Sequence, residues 1–175
     1  MNDSPTSPKI ATLEAAVAWR RRQAAEGKKV VFTNGCFDLL HRGHVELFRA
    51  ARAEGDALIV GLNADESVRR LKGASRPLVP EEDRAEVIAA LEMVDRVLLF
   101  AEDTPARVID ALAPDVLVKG ADWAQDAIVG RETVESAGGR VVRVQLAEGR
   151  STRALIRTIV ERCAAGTRAA DEEDS

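Results

Sequence analysis

The chain has 175 residues, about one domain, with 46% hydrophobic and 31% charged residues, an ordinary composition for a soluble globular core that needs no disulfide or metal staple. Its four Phe, two Trp and absent Tyr argue against readers of single-stranded nucleic acid, which stack bases on aromatic platforms. The net charge of −4 originates mainly in Arg168–Ser175, where four acids outnumber one base; the nearly neutral remainder makes no electrostatic case for nucleic acid or a membrane surface.

In chain order, residues 1–9 are polar and hold two prolines, and read as a disordered N-terminus. Ile10, Leu13, Ala16 and Val17 then fall at helical spacing, and Gly27 stops that helix. Val30–Thr33 reads as a short strand. A helix over 40–54 (Leu40, Val45, Leu47, Phe48, Ala51) closes at Gly55. The apolar run Ala57–Leu62 is a second strand, followed by a helix over 64–71 and a Gly/Pro-punctuated loop from Lys72 to Pro80. Pro80 before Glu81, Glu82 and Asp83 marks the next helix start, since acids suit that end of the dipole; it runs to about Leu91. Strand Val97–Phe100, helix 105–112, strand Val116–Val118, helix 127–137, strand 141–145 and helix 152–163 follow, then a small, acidic stretch, 164–175, expected to be disordered. Residues 10–163 thus form one domain, with neither internal repeat nor dividing linker. Five apolar strands alternating with helices predict an α/β fold: a three-layer, Rossmann-like open parallel sheet covered on both faces. Ligands in such sheets bind beyond the carboxyl ends of the strands.

The first strand-to-helix junction concentrates the chemistry. It reads Thr33-Asn34-Gly35-Cys36-Phe37-Asp38-Leu39-Leu40-His41-Arg42-Gly43-His44, and contains both histidines of the protein. Spaced i and i+3, they are expected on one helical face, at a helix N-terminus whose N–H groups favour anions. Gly35 lets the backbone approach a ligand, and Gly43 keeps the space between the histidines clear. Imidazoles aimed at a phosphate stabilise charge that grows in a transition state. Two other readings compete: the pair as metal ligands with Cys36 or Asp38, and a capping and packing accident. Two cysteines, Cys36 and Cys163, make neither a disulfide framework nor a four-thiolate zinc site. With no apolar run near the 18 residues of a membrane span, and no basic start or apolar h-region at the N-terminus, the expected location is cytoplasmic.

This junction resembles the signature of the His-x-Gly-His nucleotidyltransferase superfamily, whose members pass a nucleoside monophosphate to a phosphorylated acceptor on a Rossmann-type sheet. Further segments follow in order: Leu71-Lys72-Gly73 with Ser75-Arg76-Pro77, Glu82-Asp83-Arg84-Ala85-Glu86, Val118-Lys119-Gly120-Ala121-Asp122-Trp123 and Glu148-Gly149-Arg150-Ser151-Thr152. The succession, covering about residues 10–162, is similar to the D-glycero-β-D-manno-heptose 1-phosphate adenylyltransferases, which make ADP-heptose for the lipopolysaccharide inner core. The resemblance implies ATP and a sugar 1-phosphate as substrates, Mg²⁺ entering with the triphosphate, and a homodimer. Many members are fused to a heptose kinase, so a stand-alone form served by a separate kinase and phosphatase is expected.

On this reading His41, His44 and Lys72 are catalytic. Thr33, Asn34, Gly35, Cys36, Phe37, Gly43, Lys119, Gly120, Asp122, Trp123, Ser151 and Thr152 bind the nucleotide; Asp38, Asn63 and Arg84 bind the acceptor, Arg84 as a bidentate phosphate clamp. Asp122 suits ribose hydroxyls and Trp123 offers a ring face. Ser151 doubles as an N-cap, and Arg153 stands where the family pattern has a second Thr. The run Arg20, Arg21, Arg22, Lys28, Lys29 reads as a solvated helix end. A cytidylyltransferase for glycerol 3-phosphate and a non-catalytic nucleotide-binding module are the rival functions. A dehydrogenase is disfavoured, because no Gly-x-Gly-x-x-Gly follows the first strand.

Overall fold

The computed structural model describes residues 7–121, 128–145 and 151–173. Its elements are α1 (Leu13–Ala25), β1 (Val30–Gly35), α2 (Arg42–Ala53), β2 (Ala57–Asn63), α3 (Asp65–Lys72), α4 (Glu81–Ala89), β3 (Arg96–Phe100), α5 (Ala106–Leu112), β4 (Val116–Gly120), α6 (Arg131–Ser136), β5 (Arg140–Val144) and α7 (Thr152–Glu173). The strands form one parallel sheet in the order β3-β2-β1-β4-β5. The chain therefore winds outward from β1 in both directions, and the crevice where the order reverses lies beyond the carboxyl end of β1.

Alternation along β1 decides the layers. Val31 joins Leu58, Val60, Leu62, Val97 and Val118 under Leu47 and Phe48 of α2 and Ala85 and Ile88 of α4. Val30 and Phe32 point the other way, with Ile59, Leu98 and Leu117, onto Ala16 of α1, Val108, Ile109 and Leu112 of α5 and Val134 of α6. Both faces are covered, so β1 to β4 carry continuous apolar runs, whereas the edge strand β5 keeps Arg140 and Arg143 exposed. At the amino end, an aspartate immediately before each of β2, β3 and β4 ties it to its neighbour. Asp56 accepts from Lys29 N, Asp95 from Leu58 N and Asp115 from Val30 N, each at 2.8 Å.

Three details depart from the sequence reading. Order begins before residue 10: Ile10 bridges to Val97, Val97 N donates to Lys9 O, and Ala11 N to Val97 O. The last helix does not stop at 163 but runs on to Glu173. Arg20, expected in solvent, donates through Nη2 to Asp115 at 3.1 Å.

Candidate active site

β1 delivers Thr33, Asn34 and Gly35 to the crevice, and the chain then turns through Cys36–Leu40 into α2. That turn is strained. Phe37 and Leu39 have φ values of 44° and 53°, left-handed conformations costing on the order of 1 kcal/mol or more for a side chain with a Cβ. Such geometry persists only where the surroundings over-determine it, and here they do. Between the two strained residues Asp38 is wholly buried: its carboxylate accepts from Arg76 Nε (2.6 Å), Leu78 N (2.9 Å) and Val79 N (3.0 Å). Burial alone would push this carboxyl up; the Leu78 amide, the Arg76 guanidinium and the Val79 amide outweigh it and hold it below the usual range. The Asp38 carbonyl accepts from Thr152 Oγ1 at 2.9 Å, which anchors the start of α7 to the same turn.

The histidines meet, but not as two positions of one helix. His41 is the N-cap of α2, in extended conformation (φ −136°, ψ 169°), and His44 lies in the first turn. Their rings stack with centroids 3.8 Å apart and planes 21° apart. Phe37 is buried, its ring T-shaped to His44 and to Phe48 at centroid distances of 5.3 and 4.8 Å. Gly35 makes this possible, since a Cβ there would lie 3.0 Å from the Phe37 ring. Burial, with the neighbouring His41, lowers His44 from 6.5 to about 4, so at neutral pH it is an uncharged imidazole with one N–H. Its Nδ1 is buried and has no hydrogen-bond partner among the described residues; the Thr33 hydroxyl is in the same position. Both are polar atoms at the ligand end of β1.

Arg84, expected to clamp a phosphate, is the largest fully buried side chain, 2% exposed. It donates through Nε to Val79 O (2.9 Å), through Nη1 to Cys36 O (2.6 Å) and Asn63 O (3.0 Å), and through Nη2 to Asp65 Oδ1 (2.6 Å). One guanidinium thus ties the turns after β1 and β2 to α3 and to the chain entering α4, and the fork a bidentate phosphate contact needs is already occupied. Asn63, last in β2, is 4% exposed and donates through Nδ2 to Ser67 Oγ at 2.9 Å. Asp38, Asn63 and Arg84, expected to bind the acceptor, thus have their polar atoms engaged within the protein, where they fasten the turns of the site to one another.

The remaining residues singled out in the sequence lie as follows. Lys119 Nζ bonds Asn34 Oδ1, joining the carboxyl ends of β4 and β1, with Gly120 buried beside it. Gly43 is buried in the first turn of α2. Ser151 Oγ accepts from Ala154 N at 3.1 Å, a true N-cap, and Arg153 is exposed next to it. Lys72 is exposed at the end of α3. Burial pushes the half-buried Cys36 thiol up, and the cations opposing that shift are Lys72, then Arg84 and Arg76, which puts Lys72 within electrostatic reach of the turn. Asp122, Trp123 and Glu148–Arg150 lie outside the described residues. Sequence reasoning gave no role to Arg76 or Asp65; their partners stand 38 and 19 residues away, and no local pattern could have announced them. The metal-ligand reading of the histidine pair loses Asp38, whose carboxylate is fully occupied, and no cluster of three potential ligands occurs among the described residues.

Residues 32–161 match the cytidylyltransferase-like family. The chain is 55% identical over 152 residues to the bifunctional protein HldE of Citrifermentans bemidjiense, aligning 87% of this chain with 31% of that one. It is 53% identical over 161 residues to bifunctional protein HldE of Gluconobacter oxydans, 90% of this chain against 33% of that protein. The chain thus spans about a third of the length of these curated relatives. Among solved structures, the lipopolysaccharide core biosynthesis protein from Thermoplasma volcanium GSS1 superposes with a TM-score of 0.61 at 27% identity, covering 70% of this chain and all of that one. The pantoate-beta-alanine ligase from Francisella tularensis, at 14% identity and a TM-score of 0.59 over 82% of this chain and 68% of that one, shares the fold alone.

Proposed function

Since the chain belongs to the cytidylyltransferase-like family, we propose that it transfers AMP from ATP to D-glycero-β-D-manno-heptose 1-phosphate, giving ADP-heptose and pyrophosphate. The observation that carries the reading is the stacked His41–His44 pair at the carboxyl end of β1. Its support is the ordered set of motifs, together with about half-identity to bifunctional HldE proteins over nearly all of the fold. The likeness to a lipopolysaccharide core biosynthesis protein agrees with the product's destination.

The reaction is an in-line displacement. An oxygen of the sugar 1-phosphate forms a bond to the α-phosphorus of ATP, the bond to the α–β bridging oxygen breaks, and pyrophosphate departs with that electron pair. No side chain serves as a nucleophile; positioning and stabilisation of developing charge supply the rate. His41 and His44 line the triphosphate, His44 as a neutral donor. Lys72 offers a mobile point charge to the same phosphates, and the N-terminus of α7, with Ser151 and Thr152, favours an anion. Asp38 and Arg84 keep the strained turn in the shape that aims the histidines. The protein donors here are imidazoles, ammonium and amides rather than a carboxylate cage. Mg²⁺ therefore fits as an ion held by the triphosphate's own oxygens, where it would neutralise charge.

Pyrophosphate release with ATP, CTP and GTP, each paired with heptose 1-phosphate and glycerol 3-phosphate, tests the proposal. Preference for ATP with the heptose is expected. Faster turnover of CTP with glycerol 3-phosphate would favour the cytidylyltransferase reading, and nucleotide binding without pyrophosphate release the non-catalytic one.

A further inference from the structure

The fork of Arg84 is filled by three carbonyls and a carboxylate, so a phosphate on the acceptor calls for a different partner. The loop between α3 and α4 contains one. Residues 71–75 face solvent, as does Leu78, whereas Arg76 turns inward and its side chain is 18% exposed. Its Nε donates at 2.6 Å to Oδ2 of Asp38, whose side chain is wholly buried. The same carboxylate accepts from Leu78 N and Val79 N. The segment that bears Arg76 is therefore held to the strained turn at three points.

An arginine carries five N–H donors in a planar fork. Asp38 takes the one on Nε; those on Nη1 and Nη2 have no partner among the described residues. They form the outer edge of a guanidinium fixed from behind, the edge that can meet two phosphate oxygens side by side. The surroundings suit an anion. Burial raises the Cys36 thiol, and Lys72, Arg84 and Arg76 are the cations that oppose the shift, which puts Arg76 and Lys72 beside the same turn. That thiol is uncharged at neutral pH. Asp38 is balanced by Arg76, and Asp65 balances Arg84 at 2.6 Å, so Lys72 leaves the turn with a net positive charge.

We propose that Arg76 holds the phosphate of the acceptor through Nη1 and Nη2, with Asp38 as the backing that fixes its orientation. The inference rests on the nucleotidyl transfer proposed above and adds to it the group that places the nucleophile. In-line displacement sets the attacking oxygen and the departing pyrophosphate on opposite sides of the α-phosphorus. The fold offers two such sides. The residues expected to meet the nucleotide extend from β1 to β4, which Asn34 and Lys119 join. The loop carrying Arg76 follows β2 and α3, on the other flank of β1. A phosphomonoester held there approaches the nucleotide from the β2 side.

Arg76→Lys and Arg76→Gln, made in the full chain, test the assignment. A lysine ammonium can still pair with Asp38 but offers no planar second edge, so Arg76→Lys should melt within about 2 °C of the parent. Its KM for the sugar phosphate should nevertheless rise about tenfold or more, while kcat and the KM for ATP shift by less than about threefold. Arg76→Gln should show the same split at a lower Tm. Titration calorimetry with heptose 1-phosphate and with glycerol 3-phosphate repeats the measurement without turnover: the parent should bind the acceptor it uses, both variants should bind it more weakly, and ATP should bind all three alike. Parent-like acceptor KM and affinity in Arg76→Lys would make Arg76 only a structural partner of Asp38 and overturn the proposal. A loss that falls on ATP instead of the acceptor, or a parent that binds neither sugar phosphate, would overturn it too. Turnover of glycerol 3-phosphate in place of the heptose would sink the substrate proposed above, yet the same split measured with glycerol 3-phosphate would uphold Arg76.

Discussion

Replacing Arg84 by Met separates two jobs that an arginine at this position can do. The side chain is 1% exposed, and its guanidinium supplies three backbone carbonyls and the Asp65 carboxylate. Met keeps most of the stem volume and removes every donor. Breaking a buried ion pair by deleting one partner costs about 3–5 kcal/mol, and a lost hydrogen bond from a charged donor about 1.5–3 kcal/mol. These losses overlap, and Asp65, 20% exposed, recovers some hydration, so a total of about 4 kcal/mol is expected. At about 2–4 °C per kcal/mol for a chain of this size, Tm falls by roughly 8–16 °C. Arg84→Lys, a point charge without the planar fork, should fall between Met and the parent. Kinetically, the turn holding the histidines loosens, so kcat drops with both substrates affected, whereas loss of an acceptor-phosphate contact raises KM for the sugar phosphate alone. Calorimetry beside steady-state kinetics on the same preparations reads both. A Met variant that melts within about 2 °C of the parent and changes only the acceptor KM would refute the fastening role and reinstate Arg84 as a phosphate ligand.

His44→Ala should cut turnover by roughly 10²–10³-fold, the usual effect of deleting one preorganised donor to a transition-state oxyanion, with nucleotide affinity by titration calorimetry little changed. Near-normal turnover would make His44 structural. Because His44 titrates near 4 in the fold and 6.5 otherwise, the unfolded chain binds the extra proton in that window. Stability should be full above about pH 6.5 and fall on acidification towards 4, by at most about 3 kcal/mol. Urea melts of the parent should show that slope, and His44→Gln should flatten it. Asp38→Ala releases the Arg76, Leu78 and Val79 donors and relaxes Phe37 and Leu39, so it should lower both Tm and turnover; unchanged turnover would show that the strained turn does not matter to the chemistry. EDTA should abolish pyrophosphate release while shifting Tm by less than about 1 °C, and a large loss of stability would indicate a protein-held metal instead.

The layers, and the strand-to-helix turn proposed as the site, were legible in the sequence for a local reason: apolar runs of strand length alternating with helical periodicity need only neighbouring residues to declare themselves. So were the two histidines, the Ser151 cap and the acids opening α4. What the sequence could not declare is which groups are offered to a ligand and which hold the offering turn, because that depends on partners brought together by the strand order β3-β2-β1-β4-β5. Arg84 reads equally well as a phosphate clamp until folding surrounds it with the carbonyls of Cys36, Asn63 and Val79. Asp38 reads as a site carboxylate until the Arg76 guanidinium and two amides close on it. Phe37 and Leu39, side chains that local preference keeps out of left-handed backbone, adopt it because those long-range bonds outweigh the local cost. The His41–His44 stack likewise comes from an N-cap and a first turn meeting under the edge of Phe37. Local spacing singled out the candidate residues, and contacts between residues tens of positions apart decided which of their polar atoms are engaged within the fold.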